Sequence, residues 1–216
     1  MIALFINITV ALFFTGLINR VRAVCSGRKG PSLFQHLYNV RLLLKKSAVY
    51  GRTTSIIFKI VPVVYIVVLF TALCFVPVGH FKALFSFEGD LIFFIYLLAL
   101  SRFVLMLGAL DTGSSFEGMG VSREALYGAI LEPGIMVLFG TIALISGNTS
   151  FSSVTDLTAT GVGMNVVSFL LIYLMIKILI VESGRVPIDD TRTHLELTMI
   201  HEVMVLDYSG VRSGAY

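Results

Sequence analysis

Long apolar runs recur five times along this chain, and they constrain its fold more than any other feature of the sequence. Each run has roughly 17 to 22 residues, enough for a helix to cross a hydrocarbon core of about 30 Å. Because backbone groups in lipid have to be satisfied internally, the runs predict helices. Only 13% of the residues are charged, about half the fraction in soluble domains. We therefore predict an all-α, multi-pass transmembrane helical bundle with about five spans plus cytoplasmic amphipathic helices.

We predict that residues 1–216 form a single membrane domain, with the spans separated by polar segments that alternate between the two sides. The predicted spans cover about residues 2–18, 60–78, 91–110, 125–146 and 162–181. The segments 20–59, 111–124 and 182–216 then share one side of the membrane, and 80–90 and 147–161 share the other.

The distribution of basic residues predicts the orientation. Of sixteen Lys and Arg residues, nine lie within residues 20–59. The positive-inside rule places that side in the cytoplasm and the N-terminus outside. We expect the chain to lie in the cell inner (cytoplasmic) membrane. No charge precedes the first span, so we expect a retained helix rather than a signal peptide.

The connector between the first two spans is basic and includes an amphipathic stretch. Apolar residues recur at helical spacing from Leu33 to Leu44, and basic residues from Arg41 to Lys46 lie on the other side. This pattern is typical of a helix lying in the plane of the membrane interface, with the lipid bilayer as its partner.

Few functional classes outside the membrane fit the composition. Cys25 and Cys74 are far apart in the sequence and predict neither a disulfide framework nor a metal or cluster site. His201 and Glu202 lack the second histidine of the His-Glu-x-x-His zinc motif. No strongly basic soluble face is evident, so we expect no nucleic-acid partner.

Three charged residues lie within the predicted spans, where a charge is costly. Glu132 lies roughly 10 Å along its helix; it either handles protons or is an interfacial glutamate made tolerable by Pro133 and bound water. Arg102 is more central and should meet an acidic partner or a polar channel. Lys177 is close to the end of its span, where it either extends to the headgroups or pairs with a carboxylate.

The segment after the fifth span is rich in acids and holds six of the thirteen Asp and Glu residues. Thr193 and Glu196 fit a helix capping box, and Asp189 and Asp190 suit a helix N-terminus. Capping alone can therefore explain three of these acids, whereas Glu202 should lie about two turns into that helix.

Two histidines of the same segment, His194 and His201, are seven residues apart and share a helix face. They could relay protons, since histidine titrates near physiological pH. They could equally form hydrogen bonds to a neighbouring subunit.

The stretch from Gly113 to Gly120 is rich in glycine but matches neither the P-loop nor the dinucleotide-binding motif. We expect a loop whose glycines allow tight turns and the close approach of another chain.

Four motifs together resemble the complex I heel subunit family, whose members include NADH dehydrogenase subunit 1. They are Gly27-Arg-Lys-Gly-Pro31, Gly118-Met-Gly-Val-Ser-Arg-Glu-Ala125 leading to Glu132-Pro133, Glu182-x-x-Arg-x-Pro-x-Asp189, and the run from His194 to Gly210. The last motif is closer to the branch of the family that serves membrane-bound nickel–iron hydrogenases.

The resemblance implies a membrane anchor beneath a peripheral electron-transfer arm, with carboxylates that start an ion path. The implied ion-coupling acids are Glu132, Glu182, Asp189, Glu196 and Glu202. The implied supporting residues at the interface with the peripheral arm are Arg123, Arg185 and Asp190. The other residues that we predict as supporting or interface residues are Glu124, His194, His201, Lys177 and Arg102.

We therefore predict a non-catalytic membrane subunit of an energy-converting nickel–iron hydrogenase complex, similar to formate hydrogenlyase, that couples redox chemistry to proton or sodium translocation. Its partners would be the peripheral hydrogenase large and small subunits and antiporter-like membrane subunits. We expect no cofactor in this chain; the iron–sulfur clusters and nickel–iron centre would lie in partner subunits. The alternatives are a quinone-site subunit of a complex I-type NADH dehydrogenase and a purely structural membrane anchor.

Family members continue for two or three further helices beyond the point where this sequence stops, at Tyr216. We therefore expect either a split subunit or a shortened or truncated variant.

Overall fold

The computed structural model describes residues 1–47, 51, 53–79, 81–151, 166–184 and 200–208. Within these residues it contains seven helices and no strand apart from one isolated bridge between Val78 and Phe81. The helices are α1 (Ile2–Cys25), α2 (Gln35–Leu44), α3 (Ile56–Phe75), α4 (Asp90–Asp111), α5 (Ser115–Ser146), α6 (Val166–Glu182) and α7 (His201–Met204).

Four of the helices, α1, α3, α4 and α5, are long and apolar enough to cross a membrane. The prediction of an all-α membrane protein is thus confirmed. The fifth predicted span, residues 162–181, overlaps the 17-residue helix α6, and its first four residues lie outside the described residues.

Helices α3, α4 and α5 pack together and form the centre of the described fold. At one end, Val68, Ala72 and Phe75 of α3 pack with Leu97 of α4. Leu91 and Ile95 of α4 pack with Leu131 and Ile135 of α5.

Near the other end, Ile200 and Met204 join Leu105, Ala109 and Val121 in one buried cluster. The short helix α7 therefore closes the end of the bundle at which α4 finishes and α5 begins.

Side-chain caps hold the ends of the helices together. Asp111, the last residue of α4, accepts hydrogen bonds from the backbone N–H groups of Ser55 (2.7 Å) and Phe58 (3.2 Å) at the start of α3. These are N–H groups that a helix start leaves unsatisfied. At the opposite end, the buried Asp90 accepts from the Phe151 N–H (2.8 Å) and the Ser150 hydroxyl (3.0 Å).

The predicted polar loop over residues 111–124 is wrong over most of its length, because α5 already begins at Ser115. Glycine is unfavourable inside a helix, but Gly120 is buried against Ile200 and Met204. Tertiary packing of a small residue therefore outweighs its low helix propensity. Helix α1 likewise continues past the predicted end of its span, and Arg20 and Arg22 lie on its last turns.

Candidate functional site

The site is built around one buried guanidinium, that of Arg102 on α4, at which two further helices place three carboxylates. Arg102 lies on α4, and the end of that helix is nine residues further on, a distance of roughly 13 Å along the helix axis. Glu124 and Glu132 come from α5, and Glu182 is the last residue of α6.

Each nitrogen of the Arg102 guanidinium meets a different acid. Its Nε lies 2.9 Å from Glu124 Oε1, and its Nη1 lies 3.4 Å from Glu132 Oε1. Its Nη2 donates to Glu182 Oε2. The planar fork of arginine suits such multiple pairing with carboxylates. Of the two alternatives for Arg102, an acidic partner or a polar channel, the structure has acidic partners, and there are three of them instead of one.

Exposure differs across the cluster, which we call the Arg102 cluster and define as Arg102, Glu124, Glu132, Glu182 and His201. The side chains of Arg102 and Glu124 are only 9% and 10% exposed, whereas those of Glu132 and Glu182 are 41% and 37% exposed. His201 Nε2 lies 3.6 Å from Glu124 Oε2. The buried pair thus anchors the cluster, and two carboxylates reach its open sides.

Gly128 makes room for the guanidinium. A Cβ added at this glycine would lie 3.2 Å from Arg102 Nη1 and 3.4 Å from its Cδ. Gly128 is one turn from both Glu124 and Glu132, so the three residues lie along one side of α5. The backbone of α5 can therefore approach Arg102 closely between its two acids.

A small cavity borders the buried part of the cluster. It has a volume of about 10 Å³, and Glu124, Glu182 and His201 line it together with Arg102. This is room for about one water molecule. A wider groove of about 550 Å³ runs along the outside of α4 and α5 and is lined by Glu132, Arg102 and apolar residues such as Tyr96 and Phe103.

The charges within the Arg102 cluster do not balance. Three carboxylates share one guanidinium, and His201 adds a positive charge only when it is protonated. Ionised groups removed from water need compensation by opposite charge or by protons. The arrangement can therefore take up one or two further positive charges.

Another buried acid, Glu117, is not among the site residues predicted from the sequence. Glu117 lies in the first turn of α5, is fully buried, and accepts hydrogen bonds from the Thr112 hydroxyl and from the Asp207 N–H (3.1 Å). It therefore ties the segment that carries α7 to the junction of α4 and α5. Its assignment to a glycine-rich loop hid it, although an acid in the first turn is a normal feature of a helix start.

Three other predicted residues lie outside the Arg102 cluster. Glu202 is exposed in the first turn of α7. The Lys177 amine lies 5.5 Å from the centre of the Tyr173 ring on its own helix, a cation–π distance. Arg123 is half-buried on α5. Their predicted roles stay predictions.

Five further predicted residues, Arg185, Asp189, Asp190, His194 and Glu196, lie outside the described residues. Within the described residues, no three His, Cys, Asp or Glu side chains come together as a set of metal ligands.

In sequence, the chain is similar to one protein family and to two proteins of Escherichia coli. A family model described as NADH dehydrogenase matches residues 1–216. Hydrogenase-4 component C of Escherichia coli (strain K12) is 32% identical over 197 residues, which cover 91% of this chain and 62% of that protein. Formate hydrogenlyase subunit 4 of the same organism is 33% identical over 147 residues, covering 68% of this chain and 48% of that protein. The chain thus spans less than two thirds of either relative.

A solved structure, that of the membrane-bound sulfane sulfur reductase, described as an archaeal respiratory membrane complex, contains a chain of similar fold. The TM-score is 0.77 at 19% sequence identity, and the match covers 96% of this chain and 67% of that one. At this identity the likeness concerns the fold alone.

Proposed function

The chain belongs to the NADH dehydrogenase family, and from that premise we propose that it is a membrane-anchor and coupling subunit of an energy-converting nickel–iron hydrogenase complex. In this role it docks a peripheral electron-transfer arm and links the redox chemistry of that arm to proton or sodium translocation. The two curated relatives support the hydrogenase assignment, since one is a hydrogenase-4 component and the other a formate hydrogenlyase subunit.

The observation that carries the proposal is the Arg102 cluster. An arginine and three carboxylates within an apolar helical bundle are costly to desolvate, and such groups in membrane proteins mark ion paths. Because the carboxylates outnumber the permanent cation, the cluster can gain and lose positive charge while Arg102 stays paired. A change in the position of any of α4, α5 or α6 would alter that balance.

In the proposed path, His201 and Glu124 form the inner end and Glu132 the lateral end. The His201 imidazole lies 3.6 Å from the Glu124 carboxyl and can exchange a proton with it through one water in the adjoining cavity. Glu132 faces the groove along α4 and α5 and can pass charge towards a neighbouring membrane subunit. Arg102 holds the acids in place between these ends.

The proposal also covers the setting of the chain. The loops on the side of α7 would face the cytoplasm, where the hydrogenase large and small subunits bind, with antiporter-like subunits alongside in the membrane. The iron–sulfur clusters and the nickel–iron centre would lie in those peripheral subunits.

The proposal can be tested in inverted membrane vesicles that evolve hydrogen. We expect Glu132→Gln and Glu182→Gln each to lower ion transport per hydrogen evolved by at least about tenfold, because each variant removes one proton-exchanging group of the cluster while its packing is kept. A pH-sensitive dye and ²²Na⁺ uptake measure the transport, and gas analysis measures the hydrogen. Glu202→Gln tests the other described coupling acid in the same way.

The matched control is Glu88→Gln, which removes an exposed carboxylate at the other end of the bundle. Unchanged transport in the cluster variants, with hydrogen still evolved, would disprove the coupling role. If the variants reduced only the amount of assembled complex, the chain would be a structural anchor.

The name of the matching family supports a second candidate, a quinone-site subunit of a complex I-type NADH dehydrogenase. Quinone in the purified complex, or inhibition of its activity by quinone-site inhibitors, would favour this candidate over the hydrogenase.

A further inference from the structure

Charge is divided unevenly along the chain. The first 87 residues contain ten Lys and Arg residues and no Asp or Glu, because the first acid is Glu88. This part carries a formal charge of +10, and the remaining 129 residues carry −7, which together give the net +3. The N-terminal part of the chain therefore has no acidic neighbours in sequence to neutralise it.

Several of these basic residues come together at the end of α1. Arg20, Arg28 and Lys29 line an open groove of about 590 Å³, together with Val24, Gly27 and Gly30. The turn that forms it is well defined. Gly27 has a positive φ of 69°, which glycine adopts freely, and the Arg28 N–H donates to the Ala23 carbonyl (2.9 Å). The chain thereby brings Arg28 and Lys29 back beside Arg20.

No carboxylate of the described residues forms an ion pair with any of these three basic side chains, and all three are exposed. Three like charges around one groove repel one another unless an anion lies between them. Within the described part of the chain, the positive charge of the groove is therefore not neutralised by a carboxylate, and an anion from outside the chain would stabilise it.

For a membrane span that begins at Ile2, the length of α1 places the groove at the depth of the lipid headgroups. Arg20 is eighteen residues beyond Ile2, the first residue of α1, or roughly 27 Å along the axis, close to the thickness of a hydrocarbon core. After the groove the chain returns to α1 at a deeper level. The Phe34 ring lies 5.3 Å from the Phe13 ring, and a Cβ at Gly16 would overlap the Leu33 carbonyl.

Apolar surface borders the groove. Leu17, Val21 and Val24 recur at helical spacing on α1, and all three are exposed. Val24 also lines the groove, so this stripe leads from the groove down the helix. Helix α2 has no buried residue and exposes Tyr38 and Leu42. A ligand here would meet positive charge at one end and apolar side chains at the other.

We propose that the groove of Arg20, Arg28 and Lys29 is a binding site for an anionic phospholipid. The phosphate lies among the three basic side chains, and an acyl chain runs along Leu17, Val21 and Val24. A lipid fits better than an acidic protein surface, because the groove opens onto an apolar stripe at headgroup depth. The site is independent of the Arg102 cluster and of the proposed function.

The test uses the full chain in nanodiscs of phosphatidylcholine that contain about one-tenth spin-labelled phosphatidylglycerol. Electron paramagnetic resonance measures the fraction of labelled lipid that is immobilised, and labelled phosphatidylcholine gives the reference. We expect preferential immobilisation of phosphatidylglycerol. In the Arg20→Gln, Arg28→Gln, Lys29→Gln triple variant, the ratio of immobilised phosphatidylglycerol to immobilised phosphatidylcholine should fall by up to about fivefold for each basic residue removed. One basic residue near the membrane surface contributes about 1 kcal/mol to the attraction of an anionic lipid.

Two further variants separate a built site from diffuse attraction. The Arg41→Gln, Lys45→Gln, Lys46→Gln triple variant removes the same charge from the α2 region and should keep the preference within about twofold. Gly30→Val keeps the charge but fills the groove, because a Cβ at this glycine already lies 3.0 Å from Arg20 Cα. It should lose the preference.

An equal loss in both triple variants would overturn the proposal in favour of diffuse attraction. Unchanged retention of phosphatidylglycerol in the groove triple would also overturn it. If that variant released peripheral subunits from the isolated complex at unchanged lipid retention, the groove would bind an acidic protein surface instead.

Discussion

At the scale of single residues, the Arg102 cluster depends on Arg102 itself. Its guanidinium and the Glu124 carboxylate are both about nine-tenths buried, and removing one partner of a buried ion pair leaves the other without compensation. We expect Arg102→Leu to destabilise the chain by about 3 kcal/mol. The thermal midpoint of the purified chain in detergent measures the effect.

The matched control is Lys82→Leu, which removes an exposed positive charge from the loop before α4. It should leave the midpoint nearly unchanged. A loss of similar size in both variants would show that total charge matters and the pairing does not.

Sequence reasoning could predict that Arg102 needs an acid, because the residue lies in the middle of an apolar span. It could not identify the partners, since Glu132 and Glu182 follow Arg102 by 30 and 80 residues and meet it only through the packing of α4, α5 and α6. One pattern was available. Glu124, Gly128 and Glu132 are spaced four residues apart, which places two acids and a small residue along one side of a helix.

At the scale of elements, small residues decide how closely the helices approach. Gly120 of α5 packs against α7, and a Cβ there would lie 3.0 Å from Met204 Cγ and 3.1 Å from the Ile200 carbonyl oxygen. Gly118, two residues earlier on the same helix, has no atom within 4 Å of the same position. The two glycines therefore form a natural comparison.

We expect Gly120→Val to displace α7 and to cost about 1 to 3 kcal/mol, as overpacking does. Hydrogen exchange of the backbone amides in residues 200–208 should become faster. Gly118→Val should leave that exchange unchanged. If both variants behave alike, α7 is not held by its contact with Gly120.

Residues 115–124 are helical although the sequence favours a loop there. Glycine and serine in a polar stretch favour a loop by propensity alone, and the sequence offers no measure of how close a distant segment will pack. The helix forms because Gly120 lies beneath α7 and because Glu117 accepts the Asp207 N–H. The long apolar runs predict membrane spans by their length and hydropathy alone, so the spans are easier to predict than the start of α5.

At the scale of the whole molecule, the orientation in the membrane stays a prediction that one cysteine can test. Cys25 is exposed at the end of α1, and Cys74 is buried in α3. With that end of α1 in the cytoplasm, a membrane-impermeant maleimide should label the chain in inverted vesicles and not in right-side-out vesicles. Cys25→Ser should abolish the labelling, and Cys74→Ser should not affect it. Labelling from the outside alone would reverse the predicted topology.

The family resemblance read from four motifs is confirmed by the match over residues 1–216. The motifs could reveal it because they lie at the ends of spans, where polar residues stand out against apolar runs. They could not show which acids meet, because that depends on the arrangement of all the helices.

The order in which the Arg102 cluster is synthesised has a consequence for biogenesis. Arg102 leaves the ribosome 30 residues before Glu132 and 80 before Glu182, so α4 reaches the translocon with a positive charge whose partners do not yet exist. An arginine at the centre of a helix costs roughly 2.5 to 3.5 kcal/mol on insertion. The high hydropathy of α4 can offset that cost until α5, which carries Glu132, has been synthesised. Helix α4 is therefore expected to linger at the lateral gate until α5 arrives, so that the two helices enter the bilayer as a pair.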